Sequence, residues 1–102
     1  MSSNSGYNRR MRAARRDKSE HEIVALWRSI GAVWIPMAPD AGFDGLLIYR
    51  GQVYIVEVKT PGAWSLTANE RTVRDKVESQ GVQYHIVLTV QDAGRLIGLD
   101  VI

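Results

Sequence analysis

Gly42-Phe43-Asp44-Gly45-Leu46-Leu47-Ile48-Tyr49 and Val53-Tyr54-Ile55-Val56-Glu57-Val58-Lys59, linked through Arg50-Gly51-Gln52, decide how this chain folds. From Phe43 to Tyr49 and from Val53 to Lys59 the residues are apolar and β-branched, and the Arg50-Gly51 pair between them reads as the loop of a β-hairpin. With those two residues as the loop, Tyr49 faces Gln52, and the same pairing carries back to Asp44 opposite Glu57. Directly opposed side chains share a sheet face, with Cβ atoms roughly 4.5–5.5 Å apart. Glu57 and Lys59, two residues apart on one strand, also share that face. Two carboxylates and an ammonium are therefore expected side by side, in a register that a loop one residue longer would undo.

Upstream, Ile23, Val24, Trp27 and Ile30 recur at helical spacing, predicting a helix from Ser19 to Ile30 that ends at Gly31. Ser19 with Glu22 three positions on reads as its capping box. At about 100° per residue Glu20 falls within the apolar stripe and Glu22 near the opposite side. A carboxylate so placed needs a partner, a proton or a metal. Val33 to Met37 is a short strand, followed by a turn from Pro36 to Gly42. Downstream, Pro61-Gly62 turns the chain, and Thr67 with Glu70 forms a capping box that opens a polar helix to about Ser79. Tyr84 to Val90 reads as a strand, parallel to Val53–Lys59 through a right-handed crossover. The tail from Gln91 is expected to hold a short helix or turn before Leu96–Ile102. The whole is a single α/β domain.

The chain has 102 residues, room for one core. Hydrophobic residues form 45% and charged residues 24% of it, within the range of globular chains. With no cysteine, disulfides and thiolate metal sites are excluded, and a metal would need oxygen or imidazole ligands. No apolar run is long enough to span a bilayer and no apolar stretch marks a signal peptide, so a cytoplasmic location is expected. The net charge of +2 is uneven. Residues 1–18 carry Arg9, Arg10, Arg12, Arg15, Arg16 and Lys18 against Asp17 alone, while the remainder is acidic on balance. Such a basic arm is suited to the phosphates of nucleic acid, the plainer alternative being a solvated tail. The arm is set at residues 1–18 and the domain at 19–102.

The acidic pair carries the chemistry. Two carboxylates in apolar strands lose hydration and repel each other, and a divalent cation removes both penalties. Magnesium, or manganese in its place, prefers oxygen ligands and keeps several waters, so Asp44, Glu57 and the Val58 carbonyl form a reasonable set. Lys59 would then act on the attacking water and on charge developing at a phosphate.

At these residues the sequence resembles the PD-(D/E)XK nuclease superfamily, and within it the virus-type replication-repair nuclease domain, VRR-NUC. The resemblance runs from about Ser19 to Gly98. Glu20 matches a glutamate on the first helix, Asp44 the aspartate opening one strand, and Glu57 with Lys59 the Glu-X-Lys of the next. Pro61-Gly62 and Leu66-Thr67 match the turn and helix start that follow. The resemblance implies a restriction-endonuclease-like core in the order α-β-β-β-α-β with a mixed sheet. It also implies metal-dependent hydrolysis of DNA phosphodiesters, with Glu20 as a further metal ligand, direct or through water. Branched or flapped DNA as substrate and a homodimer rest on the resemblance alone.

This chain departs from the pattern at two places. Phe43 stands where the superfamily name has proline, and Glu70 stands where the family often has a glutamine facing the site; Glu70 either assists there or serves only its capping box. His21 and His85 have no ligand-like spacing. Trp27 and Trp34 read as core, and Trp64 as packing on the following helix rather than stacking on a base. The rival reading of the whole is a DNA-binding module of nuclease-like fold that does not cut, and behind it a small interaction protein of phage type.

Overall fold

A computed structural model describes residues 19–99 of the chain. A helix, α1, is described over residues 19–29. It is followed by β1 (Val33–Pro36), β2 (Gly45–Tyr49), β3 (Gln52–Val58), α2 (Ala68–Ser79), β4 (Tyr84–Val87) and α3 (Val90–Leu96). The α/β architecture and the order α-β-β-β-α-β are those expected, and α3 is the short helix or turn expected in the tail from Gln91. The arm residues Arg9, Arg10, Arg12, Arg15, Arg16 and Lys18 lie outside the described residues, as does the tail beyond residue 99.

The hairpin closes as read. Tyr49 pairs with Gln52 and the register runs to Gly45 opposite Val56. Arg50 and Gly51 have φ of 50° and 77°, the double positive turn whose twist matches that of the flanking strands. Arg50 is a non-glycine residue in that region, and its guanidinium lies over the Tyr49 ring, 5.1 Å from the centroid. β1 pairs antiparallel with β2, and β4 joins β3 in parallel, giving one mixed sheet in the order β1-β2-β3-β4.

One side of this sheet, the α1 side, carries the core. Trp34, Leu47, Val56, Val58 and Val87 pack there with Ile23, Val24 and Trp27 of α1 and Ala93 of α3. Trp27 is fully buried, lies 5.3 Å from Trp34 between ring centroids, and donates its indole N–H to the Ala93 carbonyl at 3.0 Å. Both tryptophans are core, as expected. Gly45 is required here, since a Cβ would stand 2.5 Å from the Trp34 ring and 2.8 Å from the Ile35 carbonyl oxygen.

Two element boundaries differ from expectation. Ser19 is already inside the helix, so it is not the N-cap. Glu20 is half-buried and Glu22 exposed, in keeping with the stripe. β4 stops at Val87 rather than Val90 because Thr89 caps α3: its hydroxyl accepts from Asp92 N–H at 3.0 Å, while the Asp92 carboxylate accepts from Leu88 N–H at 3.1 Å. Among the described residues no helix is long and apolar enough to cross a membrane.

Candidate active site

Glu57 lies near the end of β3, an interior strand flanked by β2 and β4, and is 1% exposed. It cannot be half of a solvated ion pair on a sheet edge. Alternation along β3 turns it to the side opposite the tryptophan core, the side on which α2 lies. Lys59 follows on the same side. Its ammonium is 3.3 Å from Glu57 Oε2 and 2.8 Å from Glu70 Oε1. Glu70 Oε1 also accepts from Thr67 N–H at 2.8 Å, and Glu70 N–H donates to Thr67 Oγ1 at 3.1 Å, so the capping box forms as read. Glu70 thus does two things. The same oxygen that caps α2 holds Lys59.

Burial is the main influence on the Glu57 carboxyl, with the Asp44 charge next and Glu70 after it, and together they raise it from 4.5 to about 9. Lys59 pulls the other way and is outweighed. Glu70 moves oppositely. Burial acts to raise it, but hydrogen bonds with Lys59, Glu57 and the Thr67 backbone hold its carboxyl below the usual value. For Lys59, burial acts to lower the ammonium's value, and the bond to Glu70 with the charge of Glu57 outweighs that, leaving it above 10.5. Lys59 is therefore a permanent cation and hydrogen-bond donor at neutral pH, unsuited to accepting a proton.

Asp44 reaches this group by a route the strand register did not foretell. The chain bends through residues 41–44 and β2 begins only at Gly45. Asp44 N–H donates to the Val56 carbonyl at 3.0 Å, one position short of the expected Glu57 pairing. Its carboxylate Oδ2 accepts from Val58 N–H at 2.7 Å. The expectation that Asp44 stands directly across from Glu57 is thus corrected. Past Gly45 the hairpin has no further strand to offer Val58, and the aspartate carboxylate takes over as acceptor at that edge. Within a strand residue the N–H and C=O point to the same edge, so the Val58 carbonyl faces the Asp44 side while Lys59 N–H serves the Val87 carbonyl of β4 at 3.0 Å.

The bend that delivers Asp44 is pinned from α2 and β4. The buried Tyr84 hydroxyl donates to the Gly42 carbonyl at 2.6 Å, and the Asn69 side-chain amide to the Asp40 carbonyl at 3.0 Å. Gly42 has φ of 85° and lies so close to Val73 that a Cβ would meet its Cγ2 at 2.4 Å. Burial, then the charges of Glu57, Glu70 and Asp44, push the Tyr84 phenol up, which keeps it a neutral donor. Tyr84 and Asn69 were not singled out from sequence, and nothing in their spacing marks them.

Of the expected residues, the structure draws Asp44, Glu57 and Lys59 into one neighbourhood and adds Glu70. Glu20 lines a cleft with His21, Val24, Arg28, Trp34 and Pro36, and its neighbour Ser19 lines the cleft that holds Lys59 and Glu70. His21 is exposed; His85 lies edge-on to Tyr54 at 5.6 Å, with burial holding its value down. Among the described residues no three carboxylate or imidazole side chains form a group that could hold an ion. Two carboxylates with a peptide carbonyl are nonetheless the type of donor set magnesium accepts, since it retains several waters. A buried carboxyl raised by a neighbouring carboxylate is also the electrostatic condition a cation relieves. The donor set of Asp44, Glu57 and the Val58 carbonyl fits a hard divalent ion. A cleft lined by Ser19, Val58, Lys59, Thr60, Thr67 and Glu70, about 180 Å³ in volume, opens beside it.

No family model, curated protein or solved structure matches the chain.

Proposed function

We propose that the protein is a divalent-metal-dependent nuclease that hydrolyses DNA phosphodiester bonds. The observation that carries this reading is the meeting of buried Glu57 with Asp44 and the Lys59 ammonium beside a cleft. Asp44, Glu57 and the Val58 carbonyl would hold magnesium or manganese, which when bound would neutralise the carboxylates and acidify water for attack. Glu20 would bind the ion directly or through water. Lys59 would orient the attacking water and stabilise charge developing on the phosphate. Glu70 would hold the lysine by a bond anchored in the first turn of α2, so that the ammonium does not collapse fully onto Glu57. The arginines of residues 9–16 and Lys18 would grip the backbone without reading bases. Branched or flapped substrates, a homodimer with one site per strand and a cytoplasmic setting extend this reading.

The test is incubation with plasmid and with synthetic branched DNA, with and without magnesium or manganese. Wild type should cleave, and Glu57→Ala and Lys59→Ala should each lose about a hundredfold or more. Cleavage indifferent to both substitutions would discredit the site, and DNA retention without cleavage in either metal would favour the non-cutting module. Removing residues 1–16 should weaken DNA binding and flatten its salt dependence. Unchanged affinity would reject the role of the arm.

A further inference from the structure

The loop between Lys59 and α2 has a feature the site does not use. Residues 60–65 are all exposed, and Leu66, buried at 7%, plugs the far end of the loop into the protein. Trp64 stands on this loop and is 38% exposed. Its ring therefore keeps a face open to solvent. The other two tryptophans are buried, as apolar area requires when nothing else claims it.

Position makes the exposed indole informative. The loop leaves the active-site cleft at Thr60 and returns to it at Thr67, and both residues line that cleft. Trp64 is three residues from Thr67, so its backbone is within about 11 Å of the cleft wall whatever path the chain takes. The loop is also tied down: Trp64 N–H donates to the Gly62 carbonyl at 3.0 Å, and the Thr67–Glu70 capping box fixes its end. Arg71, exposed on the first turns of α2, donates from Nη1 to the Leu66 carbonyl at 2.7 Å, which stations a guanidinium against the same loop. Its remaining N–H groups have the geometry to take a phosphate. An aromatic platform with a cation alongside is how proteins hold single-stranded nucleic acid, the base stacking on the ring and the backbone meeting the charge.

We infer that Trp64 and Arg71 form a subsite for one unpaired nucleotide of a substrate strand, the base stacked on the Trp64 indole and its phosphate on Arg71. The inference deepens the nuclease reading by giving it a substrate feature, a single-stranded segment beside the scissile bond. A duplex, whose bases are already stacked on one another, cannot use the platform.

The test separates binding from cleavage. With metal removed by EDTA, fluorescence anisotropy would follow the full chain binding a labelled 12-nucleotide oligothymidine and a labelled 12-base-pair duplex. Trp64→Ala should bind oligothymidine about tenfold more weakly, Trp64→Phe should recover most of the loss, and duplex affinity should not move. Oligothymidine should quench the tryptophan emission of wild type but not of Trp64→Phe, whose remaining indoles are buried. Thermal midpoints check that the variants are folded. Absence of oligothymidine binding by wild type, equal affinity of wild type and Trp64→Ala, equal losses on duplex and single strand, or quenching that persists in Trp64→Phe would each overturn the subsite. None of these readouts needs catalysis, so Trp64-dependent binding without cleavage in any metal would keep the subsite and reject the nuclease reading.

Discussion

The two sides of the sheet are built from the same strands and obey opposite rules. On the α1 side the strands present Trp34, Leu47, Val56, Val58 and Val87, and the helices answer with apolar residues. On the α2 side the neighbouring positions of β3 and β4 present buried Glu57 and Tyr84, met by Glu70 and Lys59. Towards β1 that side opens, and Val33, Ile35 and Val53 remain exposed. The first side stabilises by removing apolar area from water. The second holds charge in a place where charge destabilises, which proteins tolerate mainly where the charge has work to do.

The contrast is open to attack from either side, and the apolar side should yield the largest effect. Trp27→Ala removes the fully buried indole, its contact with Trp34 and its bond to Ala93, and should lower stability by about 3–5 kcal/mol in chemical denaturation. For a domain whose total is about 5–15 kcal/mol, that brings the chain close to unfolding. A loss under about 1 kcal/mol would mean that this side is not the core.

Glu57→Gln should do the opposite. The folded-state carboxyl sits at about 9 against 4.5 unfolded, so the folded protein binds the extra proton. Its contribution is fully present below 4.5 and is lost as pH rises towards 9. In EDTA the wild type should therefore weaken from pH 5 to pH 9 and the variant should not, gaining about 3–4 kcal/mol at neutral pH at about 1.4 kcal/mol per unit. Parallel stability profiles for the two proteins would show that Glu57 is not held in an environment hostile to charge. The same substitution should abolish cleavage, a direct trade of function against stability.

Tyr84→Phe gives the smallest change in stability, about 1–2 kcal/mol for leaving the Gly42 carbonyl without its donor. Its effect on cleavage should be larger in kcat than in KM, because the Gly42 bend carries Asp44. A variant with wild-type kcat would show that Asp44 is held without that anchor.

Much of the fold was written in short-range patterns. The Arg50-Gly51 turn, the Thr67–Glu70 box and the alternation across β2 and β3 depend on residues a few positions apart, and each forms as read. The one local signal overlooked was Thr89 with Asp92, a capping pattern that ends β4 early. Asp44, Glu57 and Lys59 could be picked out because charged residues interrupting an apolar run are rare without a reason.

What the chain dictated through near neighbours is the α/β alternation, the hairpin register and the identity of the charged trio. What only folding in three dimensions decided is where those charges meet: the one-step slip that sends the Asp44 carboxylate to Val58 N–H and the arrival of Glu70 on Lys59, with the Trp64 indole left partly exposed. Those outcomes depend on how helices settle on a finished sheet, and packing between distant segments leaves no periodicity in the sequence by which to read it.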